Sequence, residues 1–242
     1  MPVDIMLTVV VTSIVQSIFG AGVLLFGTPL LLLFGYDFVD VLIVLLPISV
    51  AINLLQIAKH HAHIDVSFYR NVLLLTLPPI AVFLFLVTQA RINIGLVIGA
   101  FLLLIALKEI SAPVARAIDR LMTYEKAYFV LMGVIHGLSN LGGSLLTAIV
   151  HHKDYDKDVA RVTVAASYGT FAVVQLLTLW LFRRQQIDVP FADNAIYLVV
   201  GALIFVLTDE MLYAQIDSEK YRRIFAGFLA MAGVVLILRA VS

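Results

Sequence analysis

The sequence predicts an all-α membrane protein built from two inverted repeats. Each repeat is a glycine-broken, re-entrant hairpin followed by three transmembrane helices. Three observations lead there. Apolar residues make up 62% of the 242 and charged residues 13%, with a mean hydropathy of +1.05, where a soluble domain has about 45–50% and about 25%. The apolar residues fall in long uncharged runs, as a bilayer demands. The chain also repeats itself at about half its length, and glycines interrupt the first hydrophobic segment of each half.

Composition excludes several classes. The 16 basic and 16 acidic residues cancel, so no net field recruits nucleic acid. The absence of cysteine excludes disulfides, thiolate metal sites and a thiol nucleophile. The opening Met1-Pro2-Val3-Asp4 lacks a basic leader and reads as part of the structure, not as a cleaved signal.

In order, the charge-poor segments are 5–34, 41–58, 71–88, 92–107, 127–150, 162–182, 194–208 and 224–238. Connections are short except at 108–126. There Ser111-Ala112-Pro113 reads as a helix start with proline in the first turn. Val114, Ala117, Ile118 and Leu121 recur at helical spacing beside Arg116, Asp119 and Arg120, which predicts an interfacial helix. The expected organisation is a first repeat over 1–107, a linker over 108–126 and a second repeat over 127–242.

The duplication is explicit. Ile64-Asp65-Val66-Ser67-Phe68-Tyr69-Arg70-Asn71 and Ile187-Asp188-Val189-Pro190-Phe191-Ala192-Asp193-Asn194 agree at five of eight positions, at an offset of 123. Gly22, Leu24 and Leu25 fall on Gly143, Leu145 and Leu146, and Asp37 falls on Asp158, at an offset of 121.

Segments one and five are broken, at Gly20-Ala21-Gly22 and at Asn140-Leu141-Gly142-Gly143. As helices, 5–18 and 23–34 would be ~21 Å and ~18 Å long; neither crosses a ~30 Å hydrocarbon core. Each segment is therefore an interrupted span or a re-entrant hairpin. If both span, the 16 basic residues divide nine to seven between the two sides. If both re-enter, Lys59, Arg70, Lys108, Arg116, Arg120, Lys126, Lys153, Lys157, Arg161, Lys220, Arg222 and Arg223 share one side, and only Arg91, Arg183, Arg184 and Arg239 the other. The positive-inside rule selects the second arrangement, with six spanning helices and both termini outside a plasma membrane. Each half then crosses an odd number of times, so the repeats are inverted.

Irregular backbone survives at membrane depth only where protein or water surrounds it. Paired breaks at matching places mark a transport site. New helices begin near Val23 and Ser144, and their first N–H groups and positive dipole ends would make an anion site. One glycine cluster alone is what close helix packing asks for; two at matching positions point to the anion. The expected substrate-binding set is Gln16, Ser17, Gly20, Ala21, Gly22, Val23, Asn53, Gln56, Ser139, Asn140, Gly142, Gly143, Ser144 and Gln175. Ser167 and Thr170 are further polar groups at membrane depth.

No Asp, Glu, Lys or Arg lies well inside a hydrophobic segment. That argues against a buried-carboxylate proton pump and suits an anionic substrate. His136 is the titratable side chain within a segment, either a proton carrier or a hydrogen-bonded structural group. His60, His61, His63, His151 and His152 sit at segment ends, and their spacing alone does not make a metal site. No metal or cofactor is expected. Asp65 and Asp188 suit helix caps. No Gly-x-Ser-x-Gly elbow, Walker sequence or His-Glu-x-x-His is present, so no enzymatic activity is expected.

At these residues the sequence resembles the sulfite exporter TauE/SafE family of membrane permeases. Gly20-Ala21-Gly22 through Pro29-Leu30-Leu31 is similar to the family's glycine-rich stretch, as is Gly137 through Gly143, where no proline follows. Ile64-Asp65-Val66 and Ile187-Asp188-Val189 resemble its Ile-Asp-Trp-like motif, with valine replacing the aromatic. The resemblance implies a secondary transporter that exports a small sulfur-containing anion, such as sulfite or an organosulfonate. The alternatives are a passive anion channel and a non-transporting membrane subunit of a complex. Oligomeric state stays open.

Overall fold

The structure, a computed structural model, describes residues 1–90, 93–182, 189–212 and 218–241. It is all-helical. In order it contains α1 (Val3–Phe19), α2 (Val23–Phe34), α3 (Phe38–His60), a short 3-10 turn (His61–His63), α4 (Val66–Leu75), α5 (Leu77–Gln89), α6 (Ile94–Ile110) and α7 (Ala112–Met122). Then follow α8 (Glu125–Ser139), α9 (Gly143–His152), α10 (Lys157–Phe182), α11 (Phe191–Leu212) and α12 (Ser218–Val241).

Local chemistry sets the boundaries. Gly20, at φ 75°, ends α1 in the left-handed conformation; a side chain there would be strained. Asn140, at φ 61°, ends α8 in the same way. Asp65 caps α4 by accepting from Phe68 N–H at 2.9 Å, and Asn93 caps α6 through Leu96 N–H at 3.3 Å. Pro78 and Pro79 bring no N–H to the first turn of α5, so the ladder from α4 breaks at Thr76.

Among the described residues, four helical stretches are long and apolar enough to cross a membrane: Phe38–Lys59, Val66–Gln89 (α4 with α5), Lys157–Phe182 and Phe191–Asp209. The pair α6 and α7, bent by 104° between them, makes a fifth if it counts as one broken span. Six spans were expected. The shortfall lies in α6, with 17 residues, and in α12, whose described apolar stretch is Leu229–Val241. The linker does form a helix. Met122 is buried and Arg116, Asp119 and Arg120 are exposed on α7, so it turns an apolar side inward where it lies across the end of α6.

Segments one and five both double back. Tyr36 Oη, after α2, donates to Asp4 Oδ1 and Oδ2 at the start of α1, each at 2.9 Å. Burial, with the Asp4 carboxylate beside it, pushes the Tyr36 hydroxyl up to about 12, so it stays a donor. Lys153 Nζ, after α9, pairs with Glu125 Oε2 at the start of α8 at 3.0 Å. Each hairpin thus has a polar clasp at its mouth and the glycine break at its tip.

The centre is α3 against α10. In their spans 67% and 72% of residues are buried, against 28% for α4 with α5 and 17% for α11. The outer helices expose apolar side chains, Leu203, Val206 and Leu207 among them, which suits lipid contact. α3 and α10 run antiparallel. Asp65 N–H, beyond the end of α3, donates to Thr163 Oγ1 at 3.2 Å, while Asn53 packs on Gly169. α6 and α12 are antiparallel as well. Asn93 Nδ2 donates to Ala240 O at 2.8 Å, and Gly99 lies against Gly233. Each hairpin's first helix packs in parallel on a helix of the other half. α1 follows α11, from Met1 N beside Asp193 at 3.4 Å to Ser17 beside Thr208 at 2.9 Å. α8 follows α5, with Gly133 at Thr76 and Gly137 at Ile80.

Asp65 joins these layers. Tyr155 Oη donates to its Oδ2 at 2.5 Å, and that bond, with Phe68 N–H, holds its carboxyl below the ordinary 3.8. The repeat counterpart Asp188 lies outside the described residues. Because the folded carboxyl is the more acidic, its stabilisation is complete above the ordinary value and is lost as pH falls through the lowered one. Asp65→Ala is expected to cost about 1 kcal/mol at neutral pH. Thermal unfolding in detergent checks this: the gap between variant and wild type should close as the pH is taken below 3.8.

Candidate functional site at the two helix breaks

A helix broken at membrane depth leaves N–H and C=O groups that water cannot reach. One residue in each hairpin meets this demand. Gln16 is fully buried. Its backbone carbonyl accepts from Gly20 N–H at 2.8 Å, and its Oε1 accepts from Val23 N–H, the first of α2, at 2.9 Å. The same amide donates from Nε2 to Asn53 Oδ1 on α3 at 3.5 Å. Asn53 in turn donates to Ser49 O at 2.7 Å.

His136 repeats the arrangement 120 residues later. Its carbonyl accepts from Asn140 N–H at 2.8 Å and its Nδ1 accepts from Gly142 N–H at 3.2 Å. Since Nδ1 must keep its lone pair for that bond, Nε2 carries the proton and donates to Gln175 Oε1 on α10 at 3.0 Å. The residue that His136 reaches, Gln175, is 122 positions beyond Asn53. Both ring nitrogens are engaged, and the ring is the neutral Nε2–H tautomer.

The tips are equally close-built. A Cβ on Gly22 would lie 2.6 Å from Gln16 N and 2.9 Å from Thr12 O. On Gly142 it would lie 2.5 Å from His136 Cβ and 2.9 Å from Met132 O. The contacts fall six and ten residues upstream in both halves, so the two chains turn back with one geometry. A Cβ on Gly143 would meet the Tyr168 ring at 2.5 Å.

Of the residues expected to bind substrate, the first break gathers Gln16, Gly20, Ala21, Gly22, Val23, Asn53 and Gln56. Gln56 is 2% exposed, its Nε2 lies 3.8 Å from where a Gly20 Cβ would stand, and neither end of its amide has a hydrogen-bond partner. The second break gathers His136, Asn140, Gly142, Gly143 and Gln175. The Nε2 of Gln175, the Oδ1 of Asn140 and the hydroxyl of Tyr168 are buried there without partners. Ser17, Ser139 and Ser144 have their hydroxyls turned to their own backbone, donating to Ile14 O, Ile135 O and Leu141 O at 2.7, 2.7 and 2.8 Å. The two breaks communicate. Asn140 Nδ2 donates to Thr28 Oγ1, in the second turn of α2, at 2.8 Å, and α9 touches α2. Ser167 is buried with its hydroxyl unpartnered, while Thr170 bonds to Tyr69 Oη.

Three residues here were not expected from the sequence. Arg161 and Asp209 form a buried ion pair beside the first break, and Lys59 Nζ meets Asp209 Oδ2 at 3.0 Å. An interior free of charge was expected because all three stand at segment ends. Arg161 and Asp209 reach inward to one another and not outward to the interface, and Lys59 meets Asp209 from an exposed position. His61, His63, His151 and His152 are exposed, and His151 Nδ1 lies 2.7 Å from Thr147 O. A cavity of about 250 Å³ opens elsewhere, at the mouth of the first hairpin, lined by Pro2, Tyr36, Asp37, Asp40 and Pro190 among others.

Several spanning helices around two broken hairpins, with uncommitted amides at the breaks, define a multi-pass membrane transporter. The chain belongs to the sulfite exporter TauE/SafE family, whose model it matches over residues 5–236. The family comprises transporters of sulfur anions, not enzymes. No curated protein and no solved structure matches the chain.

The caps make a clear prediction. His136→Gln should leave thermal stability near that of wild type, since glutamine holds the equivalent break at position 16. His136→Leu should strand Gly142 N–H and cost about 1–3 kcal/mol. Equal losses in the two variants, measured by thermal unfolding in detergent, would remove the capping role.

Proposed function

We propose that this protein is a secondary transporter that carries a small sulfur oxyanion or organosulfonate, such as sulfite, out of the cell by alternating access. The observation that carries the reading is the matched pair of capped breaks with unpartnered buried amides facing them. Buried polar groups without partners are uncommon; the amide nitrogens of Gln56 and Gln175 are donors that ligand oxygens would satisfy. Gln16 and His136 act as the frame that keeps α2 and α9 aimed at the ligand. The hydroxyls of Ser17, Ser139 and Ser144 can rotate from their own helices towards it, and Ala21, Gly22 and Gly143, whose N–H groups the caps do not take, supply backbone. His136 as a fixed neutral donor to Gln175 leaves proton carriage without a free nitrogen.

The moving parts are the two halves, residues 1–107 and 127–242, joined by 108–126. Their inversion is supported by the antiparallel course of α3 against α10 and of α6 against α12. It is also supported by the hairpin mouths. The first mouth stands at the start of α3 and the second at the start of α10, hence at opposite ends of the molecule. The twelve-to-four division of basic residues supports a second mouth in the cytoplasm and both termini outside.

Two experiments test this. A cysteine introduced at Asp37 of the naturally cysteine-free chain should be labelled from outside intact cells; labelling from the cytoplasm alone would overturn the topology. Purified protein in liposomes should take up radiolabelled sulfite saturably. Gln56→Leu should lower kcat/KM by about tenfold or more, the cost of a lost hydrogen bond to a charged group. Single-channel currents in place of saturable uptake would make it a channel.

A further inference from the structure

The charged cluster at the first break belongs to no cap and no clasp. Arg161 begins the second turn of α10, Asp209 lies near the end of α11 and Lys59 near the end of α3. Arg161 is 8% exposed and Asp209 4%. Arg161 Nη2 donates both to Asp209 Oδ1 and, at 3.3 Å, to Ser17 O in the last turn of α1. Its Cγ lies 3.4 Å from where a Gly20 Cβ would stand. The guanidinium is therefore threaded along the bare backbone of the break, against the negative end of the α1 dipole. Gln56, with its unpartnered amide, approaches the same glycine.

A buried ion pair contributes little net stability, because desolvation offsets the attraction. The apolar equivalent of a simple cross-link between α10 and α11 would serve as well. Placement at the break gives the charge another use. A guanidinium presents its donors in a planar fork that fits two oxygens of a sulfite or sulfonate, and it fits a spherical halide poorly.

Resting on the transport reading above, we infer that Arg161 is an anion-binding residue of the first break that selects oxyanions over halides, with Asp209 as the counter-ion the substrate displaces. The anion would take the place of the Asp209 carboxylate on the guanidinium, with Gln56 donating to a further oxygen. Lys59 holds Asp209 as it leaves. The second break carries no such pair among the described residues, so charge recognition sits at one end of the pathway.

The test uses the full-length protein in liposomes, with sulfite uptake, chloride as competitor and sulfite-dependent thermal shift in detergent as a second readout. Arg161→Gln should raise the sulfite KM about tenfold or more and abolish the sulfite-dependent shift. Arg161→Lys should keep part of the affinity and lose the discrimination against chloride. Asp209→Asn, which removes the competing carboxylate but keeps a hydrogen-bond acceptor, should lower KM. The double exchange Arg161→Asp with Asp209→Arg separates binding from cross-linking: restored folding without sulfite-dependent shift supports the inference. An unchanged KM in Arg161→Lys or in a folded double exchange, while wild type transports sulfite, would overturn it and leave the proposed function standing. Wild type that neither transports nor is stabilised by sulfite would overturn the proposed function and this inference with it.

Discussion

A helix can stop inside a bilayer only if something other than water takes the hydrogen bonds it leaves behind. Gln16 and His136 meet that requirement, and the rest of the structure is arranged around them. Each holds both sides of its own break, through its carbonyl on the departing helix and its side chain on the arriving one. Each then passes its second polar atom to a long central helix, Asn53 on α3 or Gln175 on α10. Capping a break and fixing its position are thus one interaction. The glycines follow from it, since Gly22 and Gly142 leave the cap no room for a neighbouring Cβ.

The second constraint is reciprocal packing. The first helix of each hairpin runs along an outer helix from the other half, α1 on α11 and α8 on α5, while α3 and α10 cross at Asn53 and Gly169. Neither half can bury its hairpin alone. On the alternating-access proposal, motion of one half against the other would slide these parallel contacts and preserve the caps, which lie within each half. A side-chain bond between the breaks themselves, Asn140 to Thr28, lies across the divide and would be remade.

Much of this was legible in the sequence because membranes reduce folding to few choices. Uncharged runs marked the helices, and the Ile-Asp-Val-x-Phe match marked the duplication. The breaks stood out as the places where glycine gathers. Gln16 and His136 were visible only as isolated polar residues; nothing in one sequence says that an amide and an imidazole share a task. The correspondence appears in the alignment of 16 with 136 and 53 with 175, at offsets of 120 and 122, once the contacts show that both pairs are bonded. The serines show a different limit. A hydroxyl in a helix satisfies itself on the preceding turn, so a polar residue near a break is not by that fact turned toward a ligand. Arg161, Asp209 and Lys59 escaped because segment ends are read as surface. Side chains from three segment ends can meet, two of them buried, and no pattern within any single segment encodes that.

A duplicated protein with identical halves would have inward-facing and outward-facing states of equal energy, so any bias must come from positions where the repeats differ. Two such differences stand at the breaks. Glutamine caps one and histidine the other, and the second holds its bond with a single tautomer where the first has a permanently neutral amide. The charge difference is larger. Position 161 is arginine, while the offset that relates Asp37 to Asp158 aligns it with Asp40, of the opposite charge. A buried guanidinium and carboxylate at one break, with no counterpart at the other among the described residues, cannot be exchanged by swapping the roles of the halves. The conformation that seals this pair from water and the one that hydrates it differ by the desolvation of two charges. An anion that changes partners with Asp209 would bind those two conformations unequally, and a ligand shifts a conformational equilibrium only through such a difference. The asymmetry that disturbs the repeat is therefore where the affinities presented to the two sides of the membrane would be made unequal, while the gradients set the direction of net flux.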